Sequence, residues 1–251
     1  MLSAASLMVA GAAAADAVAR ARRLPGLAIG LHVCLVEGRP MLPPEQVPDL
    51  VDARGVFRRD MVGQGVSMFV RPRVRRQLQR EVDAQFEAFA RTGLELDHVN
   101  SHLHFHLHPT ILGAILKAGR RFGMKSMRNP IEPRGVLDRI EPGAHAPAEL
   151  VMAPWARLVG WRLRRAGVAA PDQVFGLRWS GAMTAARLKG VIEHLPDGLN
   201  EVYLHPATGG GFEFCAEDSM YVEEAAALVD PGVIAAVKAN GIVLGGFRDF
   251  V

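Results

Sequence analysis

Imidazole side chains are concentrated in one short segment of the sequence, DHVNSHLHFHLHP, at residues 97–109. Imidazole is the commonest protein ligand for divalent metals of borderline softness, and it exchanges protons near neutral pH. If the segment is a strand, alternate residues share a face; if it is a helix, residues four apart do. The strand pattern would align His102, His104, His106 and His108, and the helix pattern would align His98, His102 and His106. Both patterns predict metal binding or proton transfer, and the alternative is a polar loop of surface histidines.

Two further histidines lie in apolar runs elsewhere in the chain. His32 interrupts the run AIGLHVCL, where burying an imidazole is costly unless it has a partner. We therefore expect His32 to bind a metal together with the segment at 97–109, and a core histidine bonded to the backbone is the alternative. His205 ends the run EVYLHP, where Glu201 and Tyr203 lie on the same face of a strand. A general acid or base and a packing histidine are equally compatible with this position.

A hydrolytic site of this kind also needs a carboxylate, either as a metal ligand or as the base that takes a proton from water. Asp97, Asp249, Glu37 and Glu201 are available, and their spacing singles out none of them. The phosphate-binding motifs GxGxxG and the P-loop are absent, and so is the GxSxG motif of serine hydrolases. The residues alone favour metal-assisted hydrolysis and leave the base unassigned.

Short apolar runs alternate with longer helical patterns along the chain. We predict strands at residues 4–10, 27–35, 96–99, 124–128, 201–206 and 242–247. Helical spacing predicts helices at residues 11–23, 72–92, 109–122, 153–166, 181–195, 220–229 and 231–240. This alternation is typical of an α/β fold with parallel strands. The number of strands favours a β/α barrel over an open doubly wound sheet, in a single domain spanning residues 1–251.

Composition narrows the classes of function. The chain has 251 residues, of which 49% are hydrophobic and 22% charged, as in a globular protein. Its 29 basic and 26 acidic residues give a net charge of only +3, so we expect no nucleic-acid partner. Cys34 and Cys215 form no CxxC motif and suit reduced thiols in the cytoplasm. No apolar run reaches the roughly 18 residues that a membrane span needs.

Three motifs, taken in their order along the chain, are similar to motifs of a known family: LAIGLHVCL, LDHVNSHLHFH and EVYLHPA. Together with the closing segment GIVLGGFRDF, they resemble the YdjC-type carbohydrate deacetylases over nearly the whole chain. The segment DQVFGLRWSGAMT, at residues 172–184, is similar to the branch of that family associated with hopanoid biosynthesis. Each histidine motif is weak by itself, and the combination is specific.

The resemblance implies a β/α barrel and the removal of acetyl groups from N-acetylated sugars with a divalent metal, Mg or Zn. The substrate that it implies is a glycosylated hopanoid lipid or a related saccharide. By position, His32 and His102 match the two metal-binding histidines, and His205 matches the histidine that protonates the leaving amine. Further residues are expected beside the metal ligands or the substrate: Asn100, His98, His104, His106, Glu201 and Trp179.

The sequence departs from the family pattern at two places. Many relatives have Asp where this chain has Asn100, before the Ser-His pair. The family also opens with a strand ending in Asp-Asp-Phe-Gly, which supplies a third metal ligand and the base, and this sequence lacks that motif. We therefore expect the first βα unit, roughly 30 residues, to be absent, with weak metal binding and little turnover as the result. Unpaired strand edges would then favour a homo-oligomer.

Two other functions compete with the deacetylase. One is an impaired remnant that binds sugar or lipid without cleaving it. The other is a binding module for the membrane surface, which would give a cytoplasmic protein peripheral membrane contact. Its basic and aromatic residues would be Arg71, Arg73, Arg75, Arg76 and Arg80, with Trp155, Trp161, Arg162, Arg164 and Arg165. Ordinary solvated helix faces are the alternative explanation of these residues.

Overall fold

The computed structural model describes the backbone of residues 1–143 and 147–251, and the side chains of residues 1–143 and 154–251. These residues form two compact units, each of which is described by itself. The His32 unit comprises Ser3–Arg128, Arg157–Ala170 and Gly245–Val251. The His205 unit comprises Met1–Leu2, Asn129–Ala156 and Pro171–Leu244. A single domain over residues 1–251 stays a prediction.

Three parallel strands in the order β1-β2-β3 form the sheet of the His32 unit. They are β1 (Ala4–Leu7), β2 (Ala28–Val33) and β3 (Val99–Ser101). Every residue of β2 except His32 is buried, as expected for a parallel strand covered on both faces. The register places Ser6 opposite Gly30, and His32 opposite Asn100. Polar side chains from all three strands are thereby brought close together.

Four helices lie wholly within the His32 unit. They are α1 (Ala14–Ala21), α2 (Met61–Val70), α3 (Pro72–Arg91) and α4 (Pro109–Arg121). Proline opens both α3 and α4, at the position where its fixed φ favours a helix and no amide hydrogen is needed. Leu78, Val82 and Phe86 lie on one face of α3 and are buried in the core. The helices predicted at residues 72–92 and 109–122 are confirmed.

Two parallel strands, β4 (Gln173–Phe175) and β5 (Asn200–Val202), form the sheet of the His205 unit. Five helices complete the described secondary structure of this part of the chain: α5 (Arg134–Ile140), α6 (Pro147–Arg165), α7 (Ala185–Glu193), α8 (Tyr221–Ala227) and α9 (Pro231–Ala239). Helix α6 contributes residues to both units. Phe175, Trp179 and Val191 are buried in the core of the His205 unit.

The predicted α/β class with parallel strands is confirmed, and the predicted barrel is not. Within the described residues, the sheets have three and two strands, and neither closes on itself. The strand predicted at residues 242–247 is wrong, because this segment leads into a 3₁₀ turn at Phe247–Asp249. The amides of Phe247 and Arg248 donate to the carboxylate of Asp97 instead of to a neighbouring strand. Among the residues whose structure is described, no helix combines the length and apolarity needed to cross a bilayer.

Candidate functional site

The histidine-rich segment adopts neither of the two regular patterns that its spacing allowed. Strand β3 ends at Ser101, and a 3₁₀ stretch over His102–Leu107 connects it to α4. Leu103 and His104 have φ values of 49° and 52°, in the left-handed region that side chains other than glycine rarely adopt. The chain therefore turns sharply after His102, and the histidines do not line up on one strand or helix face.

His32 and His102 form a close pair at the carboxyl ends of β2 and β3. His32 Nε2 lies 3.5 Å from His102 Nδ1, and the two ring centroids are 5.6 Å apart at an interplanar angle of 70°. On the other side of its ring, His32 Nδ1 donates to Oδ1 of Asn100 at 2.6 Å. The neutral imidazole of His32 then has its lone pair on Nε2, which is the atom that faces His102.

The histidine pair fits two ligands of one divalent ion. Zinc binds imidazole nitrogen at 2.0–2.1 Å, so two nitrogens sharing one tetrahedral zinc lie about 3.4 Å apart. The 3.5 Å separation of His32 and His102 matches this value. No group of three or more His, Cys, Asp or Glu residues that could hold a metal occurs in the described part of the chain. The described side chains therefore supply two ligands and leave the others unassigned.

A buried Asp–His pair, Asp97 and His98, lies directly before β3. Asp97 Oδ2 is 2.7 Å from His98 Nδ1, and both side chains are almost fully buried. Burial alone would raise the pKa of Asp97, but hydrogen bonds from His98, Arg248 and Phe247 outweigh it and lower that pKa. The carboxylate is therefore ionised, and His98 contacts the site through Ser6, which also bonds to Asn100.

Three further histidines, His104, His106 and His108, lie in or directly after the 3₁₀ stretch. His106 is fully buried, where its amide donates to Ser101 Oγ at 3.0 Å and its Nδ1 lies 2.6 Å from the same oxygen. Burial, assisted by the charge of Arg128, lowers the pKa of His106 to about 3, so this ring is neutral at physiological pH. His104 lies with its ring centroid 6.1 Å from that of His106. Burial also lowers the pKa of His108.

His205, Glu201 and Trp179 belong to the His205 unit. The backbone amide of His205 donates to the carboxylate of buried Glu224, and the ring of His205 lies 5.5 Å from that of Tyr203. Trp179 is buried, with the guanidinium carbons of Arg178 and Arg187 5.8 and 5.5 Å from its ring. Its position in the core gives Trp179 a packing role.

Ser6 is the site residue that the sequence did not reveal. Its Oγ lies 2.9 Å from His98 Nε2 and accepts from Asn100 Nδ2 at 2.8 Å. The only signal for it is a hydroxyl within the otherwise apolar first strand. The structure therefore brings His32, Asn100, His102 and His98 close together with Ser6, and the functional roles of these residues stay predictions.

Comparisons with known proteins agree on one family. The model of the family described as YdjC-like protein matches residues 1–239. A carbohydrate deacetylase from Geobacillus stearothermophilus is 30% identical over 256 residues, which cover 100% of this chain and 87% of that one. A carbohydrate deacetylase from Thermoanaerobacter pseudethanolicus is 21% identical, over 89% of this chain and 78% of that one.

A solved structure has a similar fold. It is the crystal structure of a protein from Enterococcus faecalis V583 named for cellobiose-phosphate cleavage. The TM-score is 0.73 at 22% sequence identity, over 99% of this chain and 88% of that one. This likeness supports the mixed α/β architecture.

Proposed function

The chain belongs to the YdjC-like family, and on that premise we propose that it is a carbohydrate deacetylase that removes acetyl groups from N-acetylated sugars. The observation that carries the proposal is the pairing of His32 and His102 at 3.5 Å. Two imidazoles from neighbouring strand ends, one of them held by Asn100, are suited to binding a divalent metal.

Metal dependence is part of the proposal. His32 and His102 would hold the ion, and imidazole nitrogen favours zinc over magnesium as that ion. When bound, such an ion acts as a Lewis acid toward a carbonyl oxygen. Asn100 orients the His32 ring through the 2.6 Å hydrogen bond, and its neutral amide adds no charge beside the ligands. His98 contacts Ser6 and Asp97, so we propose that it supports the ligands and does not bind the metal itself.

Protonation of the leaving amine is assigned to His205 on the resemblance of the LHP motif. The backbone at this residue is held by Glu224, which also accepts the amide of Met183 at 2.9 Å. Contact of Glu201, His104, His106 or Trp179 with substrate stays a prediction. A cytoplasmic location and a homo-oligomeric state also stay predictions.

The finer substrate proposal is a glycosylated hopanoid lipid or a related saccharide. It is supported by the sequence of residues 172–184, which resembles the hopanoid-associated branch. Asp172 in this segment accepts the amide of Leu199 at 2.9 Å, and the segment continues through β4 to Trp179. A comparison of N-acetylglucosamine with its lipid-linked glycosides as substrates tests this choice.

Acetate release tests the deacetylase directly. Purified protein is incubated with di-N-acetylchitobiose and either ZnCl₂ or MgCl₂, and free acetate is measured over time. We expect release with the intact protein and a loss of at least about 100-fold in His32→Gln or His102→Gln. His194→Gln is the matched control, because that ring bonds to the Gly190 carbonyl at the end of α7.

One result would contradict the role of the histidine pair, and another would contradict the deacetylase itself. Equal acetate release by His32→Gln and the intact protein would remove the histidine pair from the reaction. Saturable binding of the sugar without acetate release by the intact protein, at any metal concentration, would instead favour the impaired remnant.

One surface feature favours peripheral membrane contact as a second function. The α2 apolar face consists of Val62, Val66, Phe69 and Val70, all of which are more than half exposed. Their spacing places them along one side of the helix. Exposed arginines flank this helix at both ends: Arg58, Arg59, Arg71 and Arg73. An exposed apolar face with basic flanks is typical of helices that lie on anionic lipid.

Vesicle co-sedimentation tests this contact. We expect the protein to bind vesicles of anionic phospholipid and to dissociate as salt increases. The double variant Val66→Ser/Phe69→Ser should bind severalfold less. Val243→Ser, at an exposed valine outside α2, is the control and should bind as the intact protein does. Equal binding by all three proteins would reject the α2 apolar face as the contact.

A further inference from the structure

We infer that Ser6 and the Asp97–His98 pair are positioning residues, which hold His32 in the tautomer that carries its proton on Nδ1 and its lone pair on Nε2. This inference rests on the proposed function, because it concerns how the proposed metal ligand is oriented. The residues that it connects are called the strand relay here: Asp97, His98, Ser6, Asn100 and His32. All of them belong to the His32 unit.

Asp97 determines the donor and acceptor directions of the hydrogen bonds in the strand relay. Its carboxylate accepts the backbone amides of Phe247 at 3.1 Å and Arg248 at 2.9 Å, and it lies 2.7 Å from His98 Nδ1. A carboxylate can only accept hydrogen bonds, so His98 Nδ1 must carry a hydrogen. We take the His98 ring as neutral, which makes its Nε2 an acceptor.

Ser6 connects His98 to Asn100 and thereby determines which way the Asn100 amide faces. A serine hydroxyl has one proton, and Ser6 gives it to His98 Nε2, 2.9 Å away. Ser6 Oγ must therefore accept from Asn100, whose Nδ2 lies 2.8 Å away. This contact fixes the amide of Asn100 with its oxygen toward His32 Nδ1, at 2.6 Å. If the Asn100 amide were reversed, its oxygen and His98 Nε2 would both need the single hydroxyl proton of Ser6.

The outcome at His32 is a single tautomer. Asn100 Oδ1 accepts from Nδ1, so Nε2 carries the lone pair, and this nitrogen lies 3.5 Å from His102 Nδ1. Hydrogen-bond partners of this kind that orient a metal-binding histidine typically change metal affinity by 10–100-fold. The strand relay would therefore matter for metal binding although Ser6, His98 and Asp97 do not bind the metal.

Local packing keeps the strand relay in place. Gly30 lies opposite Ser6 in the sheet, and a Cβ at this position would lie 2.5 Å from the ring of His98. The absence of that side chain allows His98 to reach Ser6. His98 and Asn100 are buried, whereas Ser6 is exposed. Ser6 can therefore be changed without leaving a cavity in the core.

The test replaces Ser6 and reads the protonation of His32 directly. Metal-free protein labelled with ¹⁵N-histidine is studied by long-range ¹H–¹⁵N correlation NMR, and His32→Gln identifies the His32 signals. We expect the Nδ1–H tautomer in the intact protein and a mixture of tautomers in Ser6→Ala. Titration with ZnCl₂ should show a dissociation constant about tenfold higher in Ser6→Ala.

Two further variants separate positioning from folding. Ser6→Thr keeps the hydroxyl at a strand position and should restore both the single tautomer and the zinc affinity. Ser3→Ala makes the same chemical change next to β1 and should change neither.

An Nε2–H tautomer of His32 in the intact protein would overturn the inference. So would a tautomer population or a zinc affinity that stays unchanged in Ser6→Ala. The NMR reading requires no substrate and no metal, so it is independent of the deacetylase. If the tautomer is as inferred and acetate is never released, the proposed function fails while the strand relay stands.

Discussion

His32 Nε2 and His102 Nδ1 lie 3.5 Å apart although 70 positions separate the two residues in the chain. The parallel pairing of β2 with β3 brings them together, because Val33 pairs with Ser101 immediately beside them. Both side chains leave the carboxyl ends of their strands, the edge at which ligand sites form in parallel sheets. The site is therefore a direct product of strand register.

Substitution of Asn100 changes the charge next to His32 without removing either histidine of the pair. In Asn100→Asp, a charged acceptor replaces the amide oxygen that faces His32 Nδ1, which raises the basicity of the ligand nitrogen. We expect Asn100→Asp to bind zinc about tenfold more tightly, and Asn100→Leu about tenfold more weakly. Calorimetric titration with ZnCl₂ measures both, and an identical affinity for the two variants would contradict the role of Asn100.

Gly30 is expected to be intolerant of any side chain. In Gly30→Ala, the new Cβ would lie 2.5 Å from the buried ring of His98, whose two nitrogens are both hydrogen-bonded. We expect the free energy of unfolding to fall by about 1–3 kcal/mol. Gly26→Ala is the matched control, because no heavy atom lies within 4 Å of its Cβ position. Urea unfolding compares them, and equal midpoints would show that the His98 ring is not fixed.

His106 makes stability depend on pH. Its pKa is about 3 in the folded protein, against 6.5 for the ordinary group, so the unfolded chain binds this proton more readily between those values. The free energy of unfolding should therefore fall as pH decreases from about 6.5 toward 3, by up to about 1.4 kcal/mol per pH unit from this residue.

His106→Asn isolates that contribution. Its amide oxygen can still accept from Ser101, whose Oγ lies 2.6 Å from the ring nitrogen that it replaces. We expect a shallower loss of stability with acid in this variant, measured by urea unfolding between pH 4 and pH 7 in EDTA. A slope equal to that of the intact protein would mean that the pKa of His106 is the same in the folded and unfolded chains.

The two cysteines should differ sharply in reactivity. Burial raises the pKa of Cys34 to about 12, and its Sγ donates to the Val36 carbonyl at 3.2 Å. Because the thiolate is the reactive form, Cys34 should be inert in the folded protein while partly exposed Cys215 reacts. A disulfide-exchange reagent should therefore detect one thiol before denaturation, and none in Cys215→Ser. Rapid reaction of Cys34 in that variant would disprove its burial.

The sequence predicted some features well because they depend on local patterns. Helices α3 and α4 carry apolar residues at helical spacing behind an opening proline, so their bounds agree with prediction to within a residue or two. His32 was identified because an imidazole inside an apolar strand needs a partner. Among the neighbouring histidines, only the resemblance of the NSH motif to the YdjC-type family singles out His102.

Other features depend on contacts between distant segments, which no local pattern contains. The segment at 242–247 has the composition of a strand, but Asp97 binds the amides that follow Gly246. Nothing in the local sequence distinguishes Ser6, because its contact with His98 depends on the pairing of β1 with β2 and on the missing side chain of Gly30. The turn after His102 relies on left-handed φ at Leu103 and His104, a conformation that leucine rarely adopts.

Zinc binding shows whether His32 and His102 share one metal ion. Binding is measured by calorimetry for the intact protein, His32→Gln, His102→Gln and the double variant, with His194→Gln as the control. If one ion is shared by both rings, each single change should abolish most of the affinity, and the double variant should lose little more. Unchanged zinc affinity in either single variant would contradict a shared metal at His32 and His102.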